Sequence, residues 1–504
     1  MKRKCFIAWA AGFILALMVG CNDMESYSVS PNHHLSFSTD TLSFDTVFTT
    51  IGSTTGYFMI YNNNDEALKI NKIVLASGGR SGFRINIDGR KGDLFNEIPI
   101  WKKDSLYVAV EVTVDPNNEN NPFVIYDSIV FVTNGTIQSV LLEAYGQNAN
   151  IIRGGKTFTV DTTLASERPY LVYDSIMIPE GVTVNVDKGA SFYMHYKSKW
   201  LIDGTIKTNG TLEEPVIFRG DRLNNLTHTI SYDKVPAQWN GMHFGASSFD
   251  NELNYTMIRN GTYGLTFEES TPDNKKIDIK NSQITNMTRN VLYAMNCHIE
   301  ASNTEFSNAG AYLVALSGGK YQFTHCTMAN FMPALMMSNT NTRFEPSLSI
   351  ADTIYPVLQA HFDNCIIDGD KSVDTTKLYN GEIKFTTDEA RINGEDGQFN
   401  YRFNHCAIKT AKVVNERFIE NIFVIKGTDT DSVKYIKSNE KIIGEKNEYD
   451  YSFDFRLADD SPVAGKADKS ISEQYPVDRY GINRLESETG PSIGAYEREL
   501  KNEK

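Results

Sequence analysis

Asn281-Ser282-Gln283-Ile284 is answered by Asn303-Thr304-Glu305-Phe306 and then by His325-Cys326-Thr327-Met328, so the apolar positions 284, 306 and 328 recur every 22 residues. A repeat this short, built of β segments between Asn and Gly turns, cannot bury its own apolar face. Stacking each copy on the next supplies one continuous core, which is the logic of a parallel β-helix. Ile258 precedes the series by 26 residues, and Asn364-Cys365-Ile366-Ile367 and His405-Cys406-Ala407-Ile408 extend it at intervals of 39 and 41. Each long interval fits either one coil with an extruded loop or two ordinary coils. Alternation puts Ser282, Thr304, Cys326, Cys365 and Cys406 on the same side as the ladder of Ile284, Phe306 and Met328. These cysteines, and Cys297, therefore read as small buried hydrophobes; none stands in a CxxC or other metal-ligand spacing. The preceding column is Asn281, Asn303, His325, Asn364 and His405, whose histidines replace asparagines that face outward or cap a bend.

The array begins earlier, with shorter turns. Ile178-Pro179-Glu180-Gly181-Val182-Thr183-Val184 leads through Trp200-Leu201-Ile202-Asp203-Gly204-Thr205-Ile206 and Pro215-Val216-Ile217-Phe218 to Trp239-Asn240-Gly241-Met242-His243-Phe244. This order resembles the right-handed parallel β-helix proteins of exported bacterial type, similar in shape to pectin and chondroitin depolymerases. The stretch Asp478-Arg479-Tyr480-Gly481, Arg484 and Ile493-Gly494-Ala495-Tyr496-Glu497 resembles their closing segment. It implies a terminal cap in which Arg484 partners Asp478 and Tyr496 covers the last rung. Residues 155–497 form this β-helix with its C-terminal cap.

Residues 36–148 read differently. Leu106, Val108, Val110, Val112 and Val114 alternate strictly up to Asp115-Pro116, and Phe58 and Ile60 repeat the pattern before Asn62-Asn63-Asn64-Asp65. About seven such strands predict two packed antiparallel sheets. The order of these pieces, from Leu42-Ser43-Phe44-Asp45 to Leu142–Gly146, resembles the immunoglobulin-like modules of the ASPM, SPD-2 and Hydin type. Val114 stands where that family carries Phe. The fold class is thus all-β: an N-terminal immunoglobulin-like β-sandwich followed by a right-handed parallel β-helix.

Ahead of both lies a basic run, Lys2-Arg3-Lys4, and an apolar stretch from Phe6 to Val19, too short for a stable membrane span. Residues 1–20 read as a signal peptide, because Met18-Val19-Gly20-Cys21 resembles the bacterial lipobox, which implies lipid, palmitate included, on Cys21. Residues 21–35 read as a tether, and Asn22-Asp23-Met24-Glu25 resembles the acidic patch that sends Bacteroidetes-type lipoproteins to the surface of the outer membrane. Cleavage leaves 46 basic against 63 acidic residues and shifts the formal charge from -14 to -17. So acidic a chain does not fit a nucleic-acid partner, whose phosphates require clustered Lys and Arg. The expected partners are the membrane, through the Cys21 lipid, and a polysaccharide or another envelope protein. Asp followed by Ser or Thr and an apolar or small residue recurs. This resembles an O-glycosylation motif of exported Bacteroidetes-type proteins, with acceptors Thr41, Thr46, Ser105, Ser128, Thr162, Ser175, Thr353, Thr375 and Ser432; the same dipeptides also mark turns into strands.

Chemistry is sparsely written. A glycosidase needs two carboxylates roughly 5–9 Å apart. Asn364-Cys365-Ile366-Ile367-Asp368-Gly369-Asp370 partly resembles the Gly-Asp-Asp element of polygalacturonases, but Lys371 replaces its second Asp. Asp370 and His243 are the candidate catalytic groups. Asp368, Asp370 and Asp374 could offer oxygen ligands to calcium if the chain were a lyase; otherwise no cofactor is expected. Trp200, Trp239 and Tyr232, beside the polar insertion 219–238, are candidate sugar contacts, though the two tryptophans read more readily as starts of core strands. The reading that follows is a non-catalytic module binding glycan or an envelope component. The alternatives are a lyase or hydrolase of an acidic polysaccharide and a structural or adhesive protein.

Overall fold

The computed structural model describes residues 26–117, 119–226, 230–333, 345–392, 398–425, 432–439, 441–443 and 448–498. The signal sequence and Cys21 lie outside them. The chain divides into two compact units, Met1–Asn148 and Ala149–Lys504.

The first unit is an immunoglobulin-like sandwich of two five-stranded sheets. One sheet runs in the order Ser36–Phe37, Gly56–Tyr61, Ser105–Val112, Phe83–Ile87 and Arg90–Gly92; the other runs Thr41–Phe48, Thr136–Gln147, Phe123–Thr133, Leu68–Leu75 and Leu94–Ile100. Alternation does what period-2 geometry requires. Phe58, Ile60, Val108, Val110 and Val112 face one side and are buried against Ile129, Phe131, Val140 and Leu142 of the other sheet. Among the described residues ten strands replace the expected seven or so, and one pair, Thr41–Phe48 with Thr136–Gln147, is parallel rather than antiparallel.

The second unit is the parallel β-helix. Among the described residues its coils build three parallel sheets. Sheet I has eleven strands, from Asn150–Ile152 to Ile422–Phe423; sheet II has nine, from Lys156–Thr157 to Ile383–Thr386; sheet III has ten, from Thr162–Leu164 to Phe418–Ile419. Successive strands of a sheet join through the other two sheets, a crossover for which the right hand is strongly preferred. The inward ladder of sheet I runs in register through Phe192, Phe218, Ile258, Ile284, Phe306, Met328, Ile367 and Ile408. Met328 pairs directly with Ile367, and Ile367 with Ile408. The 39- and 41-residue intervals are therefore one coil each, the surplus residues falling in sequence on either side of the sheet II strands Leu348–Ala351 and Ile383–Thr386. In sheet III, Phe323, Phe362, Phe403 and Phe418 stack with ring centroids 5.1, 4.9 and 5.0 Å apart.

The corner between sheets III and I carries the repeat's signature. Asn281, Asn303, His325, Asn364 and His405 all have φ between 47° and 54°, the left-handed region that asparagine tolerates better than most residues. Their amides link coil to coil: Asn303 Nδ2 donates to Asn281 Oδ1 at 3.3 Å, and Asn281 Nδ2 to Asn254 Oδ1 at 3.1 Å. The next residue turns inward and accepts a backbone N–H from the previous coil. Ser282 Oγ takes Thr256 N, Thr304 Oγ1 takes Ser282 N, Cys365 Sγ takes Cys326 N and Cys406 Sγ takes Cys365 N. Cys326, Cys365 and Cys406 are buried free thiols, as is Cys297.

Two expectations for the C-terminal part are corrected. The closing segment does not cover the last rung but lies back along the flank of the middle coils. Ala495 N donates to Thr327 Oγ1 at 2.9 Å, Gly494 N to Asn364 O at 2.8 Å, and Tyr496 Oη to Glu305. Arg484 is buried and donates to Asn303 Oδ1 and the Gly494 carbonyl at 3.0 and 3.1 Å. Asp478 instead accepts the backbone N–H groups of Tyr480, Ile482 and Glu497, and meets Arg484 only through its charge. His325 stands at the bend and points outward, but not into solvent. The closing segment covers it completely, with its Nε2 3.0 Å from Ser472 Oγ, whereas His405 is one-fifth exposed. Outward residues of sheet I (Ala329, Ile366, Ala407) thus join Val433, Tyr435, Phe455, Leu457, Val463, Ile493 and Tyr496 in a second apolar core.

Candidate functional site

Sheet I presents two outward columns. One contains Met257, Gln283, Glu305, Thr327 and Ile366; two residues further along each strand runs Leu171, Tyr193, Arg219, then Arg259, Thr285, Ser307 and Ala329. The second core closes these columns from Thr327 and Ala329 onward. Before that point they floor a cleft of about 210 Å³, partly exposed at Arg259, Gln283 and Thr285 and buried at Glu305 and Ser307.

One wall is the short turn Tyr232–Lys234 of the insertion after Gly220, capped by Ser231 Oγ, which accepts Asp233 N at 3.2 Å. The opposite wall is Tyr451, Ser452, Phe453 and Phe455, with Met332 and Pro333 nearby. The floor is Arg259, Gln283, Thr285, Glu305 and Ser307, and Asn286 and Asn308 join it from left-handed kinks at φ 62° and 50°. The walls are also tied: Lys234 Nζ lies 3.3 Å from Asp450 Oδ1. Burial works against the Asp450 carboxylate, but hydrogen bonds from Lys437 and Ser452 outweigh it and hold its pKa below the ordinary carboxylate range.

Both carboxylates that line the cleft are engaged. Asp233 Oδ1 lies 2.9 Å from Arg259 Nε and 3.1 Å from Arg219 Nη2. Glu305, almost fully buried, accepts Gln283 Nε2 at 3.0 Å, Ser307 Oγ at 2.5 Å and Tyr496 Oη. The pair offers polar edges and fixed charge, with an aromatic wall beside them. That suits a hydroxyl-rich ligand, whose donors and acceptors such fixed polar edges can meet.

The candidates read from sequence fall elsewhere. Trp200 and Trp239 are wholly buried, so neither presents a face to a sugar; this corrects their assignment as contacts. Trp200 packs edge-on against Phe192 and Phe218, and Trp239 donates Nε1–H to the Arg259 carbonyl at 2.8 Å. Tyr232 is half-buried at the start of the turn whose Asp233 and Lys234 line the cleft, but does not line it itself, and the Arg222 guanidinium lies 4.0 Å from its ring centroid. His243 sits in sheet II, donating Nε2–H to Asn240 O at 3.1 Å, and burial lowers its pKa. Asp370 is exposed just beyond the sheet I strand Ile366–Gly369. The two belong to different sheets and form no acid–base pair.

Asp368 is buried under Tyr435, whose Oη donates to it at 3.1 Å, and burial raises its pKa to about 6. Asp374 instead accepts Thr376 N and Oγ1 in its own turn. No group of three or more His, Cys, Asp or Glu able to hold a metal occurs among the described residues. Every expected glycosylation acceptor has an accessible surface. In four of those motifs the Asp accepts the next residue's N–H (Thr46, Ser105, Ser128 and Ser175) at 2.7–2.8 Å, which is the turn reading of the same dipeptide.

The cleft residues went unselected in the sequence for a definable reason. Gln283 and Glu305 stand inside the diagnostic repeat at its outward position, so their neighbours could have been read from the 22-residue register. Arg219, Asp233 and Arg259 are separated by the insertion, which hides their shared register, and Phe453 arrives from the far end of the chain.

No protein-family model matches the chain, and no curated protein matches it. Solved structures do resemble parts of it. The PapD-like domain 7 of human CEP192 is 9% identical with a TM-score of 0.16, covering 24% of this chain and 94% of that one. The catalytic unit of the GH87 α-1,3-glucanase from Streptomyces thermodiastaticus is 10% identical with a TM-score of 0.25, covering 75% of this chain and 84% of that one. A family 123 glycoside hydrolase from Clostridium perfringens is 8% identical with a TM-score of 0.17, and the likeness covers 25% of this chain and 26% of that one. At these scores none of the three carries an argument about the chemistry of this chain.

Proposed function

We propose that the chain is a lipid-anchored protein of the outer membrane, displayed at the cell surface, that holds a glycan in the sheet I cleft without cleaving it. One observation carries this reading. The cleft joins a polar floor to the partly exposed Phe453 ring, while its carboxylates, Asp233 and Glu305, are committed to Arg219, Arg259, Gln283, Ser307 and Tyr496. Aromatic faces and fixed hydrogen-bonding edges are what a sugar ring requires of a binding site.

The test is retention on immobilised polysaccharides, read beside assays for new reducing ends and new unsaturated uronates. Retention without turnover, lost on Phe453→Ala, is the expected result. Turnover that survives purification would replace this reading with a lyase or hydrolase, and retention by no polysaccharide would leave an adhesive or structural protein. The anchor rests on the lipobox-like Met18-Val19-Gly20-Cys21. A clickable fatty acid fed to the producing cell should label the wild type and not Cys21→Ser, and protease added to intact cells should digest a surface-displayed chain.

A further inference from the structure

Upstream of the cleft, sheet I carries another column of side chains to which no role has been given. Register aligns Ile152, Val172, Met194 and Gly220 on successive coils. The residues that follow them, Arg153, Tyr173, His195 and Asp221, therefore stand one above the next, about 4.8 Å per coil. Their contacts agree with that register. The Arg153 guanidinium lies 5.0 Å from the Tyr173 ring centroid, that ring lies 4.6 Å from the His195 imidazole, and His195 Nδ1 hydrogen-bonds Asp221 Oδ2 at 2.6 Å. Beside it the motif recurs twice, with Arg219 5.7 Å from the Tyr193 ring and Arg222 4.0 Å from the Tyr232 ring. A guanidinium laid on a tyrosine face is oriented by the ring quadrupole and leaves N–H edges able to grip a planar anion.

Charge makes this stretch an exception. The chain carries -14 overall, yet here Arg219 and Arg259 share the single carboxylate of Asp233, and the Asp221 carboxylate is turned to His195. Arg153 and Arg222 are exposed, and no carboxylate pairs with either among the described residues. A local cationic excess on an anionic surface selects its ligand by sign.

We infer that the column Arg153–Tyr173–His195, with Arg222 beside it, is a subsite for a carboxylated or sulfated sugar of the glycan whose neighbouring residues occupy the cleft. The inference rests on the reading of the cleft as a glycan site. It adds a site some three coils away and a substrate class: an acidic polysaccharide lying across the coils. The turn Tyr232–Lys234 connects the two sites, since Tyr232 stacks on Arg222 while Asp233 and Lys234 line the cleft.

The experiment compares retention of the full chain on neutral dextran and arabinoxylan with retention on carboxymethyl-dextran, polygalacturonate and dextran sulfate. It is run at low salt and at ~0.3 M salt, where exposed charge pairs are screened. The polyanions should be held at least about tenfold more tightly at low salt, and Arg153→Gln/Arg222→Gln should remove most of that margin without changing Tm. The carboxylated and sulfated arms identify which anion is preferred. Equal retention of neutral and charged polymers, or a double variant that binds polyanions like wild type, would overturn the subsite. So would binding of phosphatidylglycerol vesicles, but not of any polyanionic glycan, with the same dependence on Arg153 and Arg222. The two readings fail separately: indifference of all retention to Phe453→Ala removes the cleft, and indifference to the arginine variants removes this column.

Discussion

At the scale of single residues, the III–I corner shows why the repeat keeps asparagine. A left-handed residue costs a side chain with a Cβ roughly 1 kcal/mol or more, and glycine nothing. Asn303 adds hydrogen bonds to Asn281 Oδ1 and the Val477 carbonyl, and accepts one from Arg484. Asn303→Ala should therefore cost about 2–3 kcal/mol in a urea titration, and Asn303→Gly visibly less, because glycine regains the backbone term while losing the same hydrogen bonds.

Asp368 makes a pH prediction. Burial raises its pKa from 3.8 to about 6, so the folded chain binds this proton more tightly than the unfolded one. The resulting stability is fully present below pH 3.8, and it is lost as pH rises through about 6. Asp368→Asn should remove that contribution to the pH dependence between about 4 and 6. Thermal melts of the two proteins should converge toward the acid end of that window, with the variant gaining on wild type above it.

At the scale of elements, the closing segment behaves as a strap. Gly494 shows how closely it approaches: a Cβ there would lie 2.6 Å from Ile366 Cδ1 and 2.7 Å from Thr327 Oγ1, at a φ of 98°. Arg484 is its buried anchor, 3.8 Å from Glu497 and bonded to Asn303. Replacing it by alanine leaves Glu497 uncompensated, and losses on the order of 3–5 kcal/mol follow from breaking such a pair. We expect Arg484→Ala to expose residues 462–498 to limited proteolysis while the coils, held by their own ladders, keep their circular dichroism. Full protease resistance of the variant would show that the anchor lies elsewhere.

At the scale of the whole molecule, what the sequence disclosed follows from range. The ladder Ile284–Phe306–Met328, the inward thiols and the alternation of Val108, Val110 and Val112 are local patterns of period 22 or 2, and they were legible without coordinates. The strap was legible as a motif but not as a place, because Tyr496 and Glu305 are 191 residues apart and nothing periodic joins them. The same holds for the cleft. Its floor belongs to the repeat, but the Phe453 wall and the Asp233 turn come from segments outside it. Trp200 and Trp239 misled because aromatic content beside a polar insertion suits both a surface platform and a core, and only burial separates the two.

The strap's position has a consequence for how such a chain is made. Coils can stack one by one as the polypeptide emerges N-terminus first, each giving the next an edge to extend. Ala329, Ile366 and Ala407 would then be only partly covered, by Val433, Tyr435, Phe455 and Leu457, until Val463, Ile493 and Tyr496 arrive. Maturation is thus a final clasp rather than a last turn of the spiral. A chain stopped at residue 461 should form its coils and yet stay sticky, binding a hydrophobic dye and associating with itself, until the missing peptide is supplied in trans.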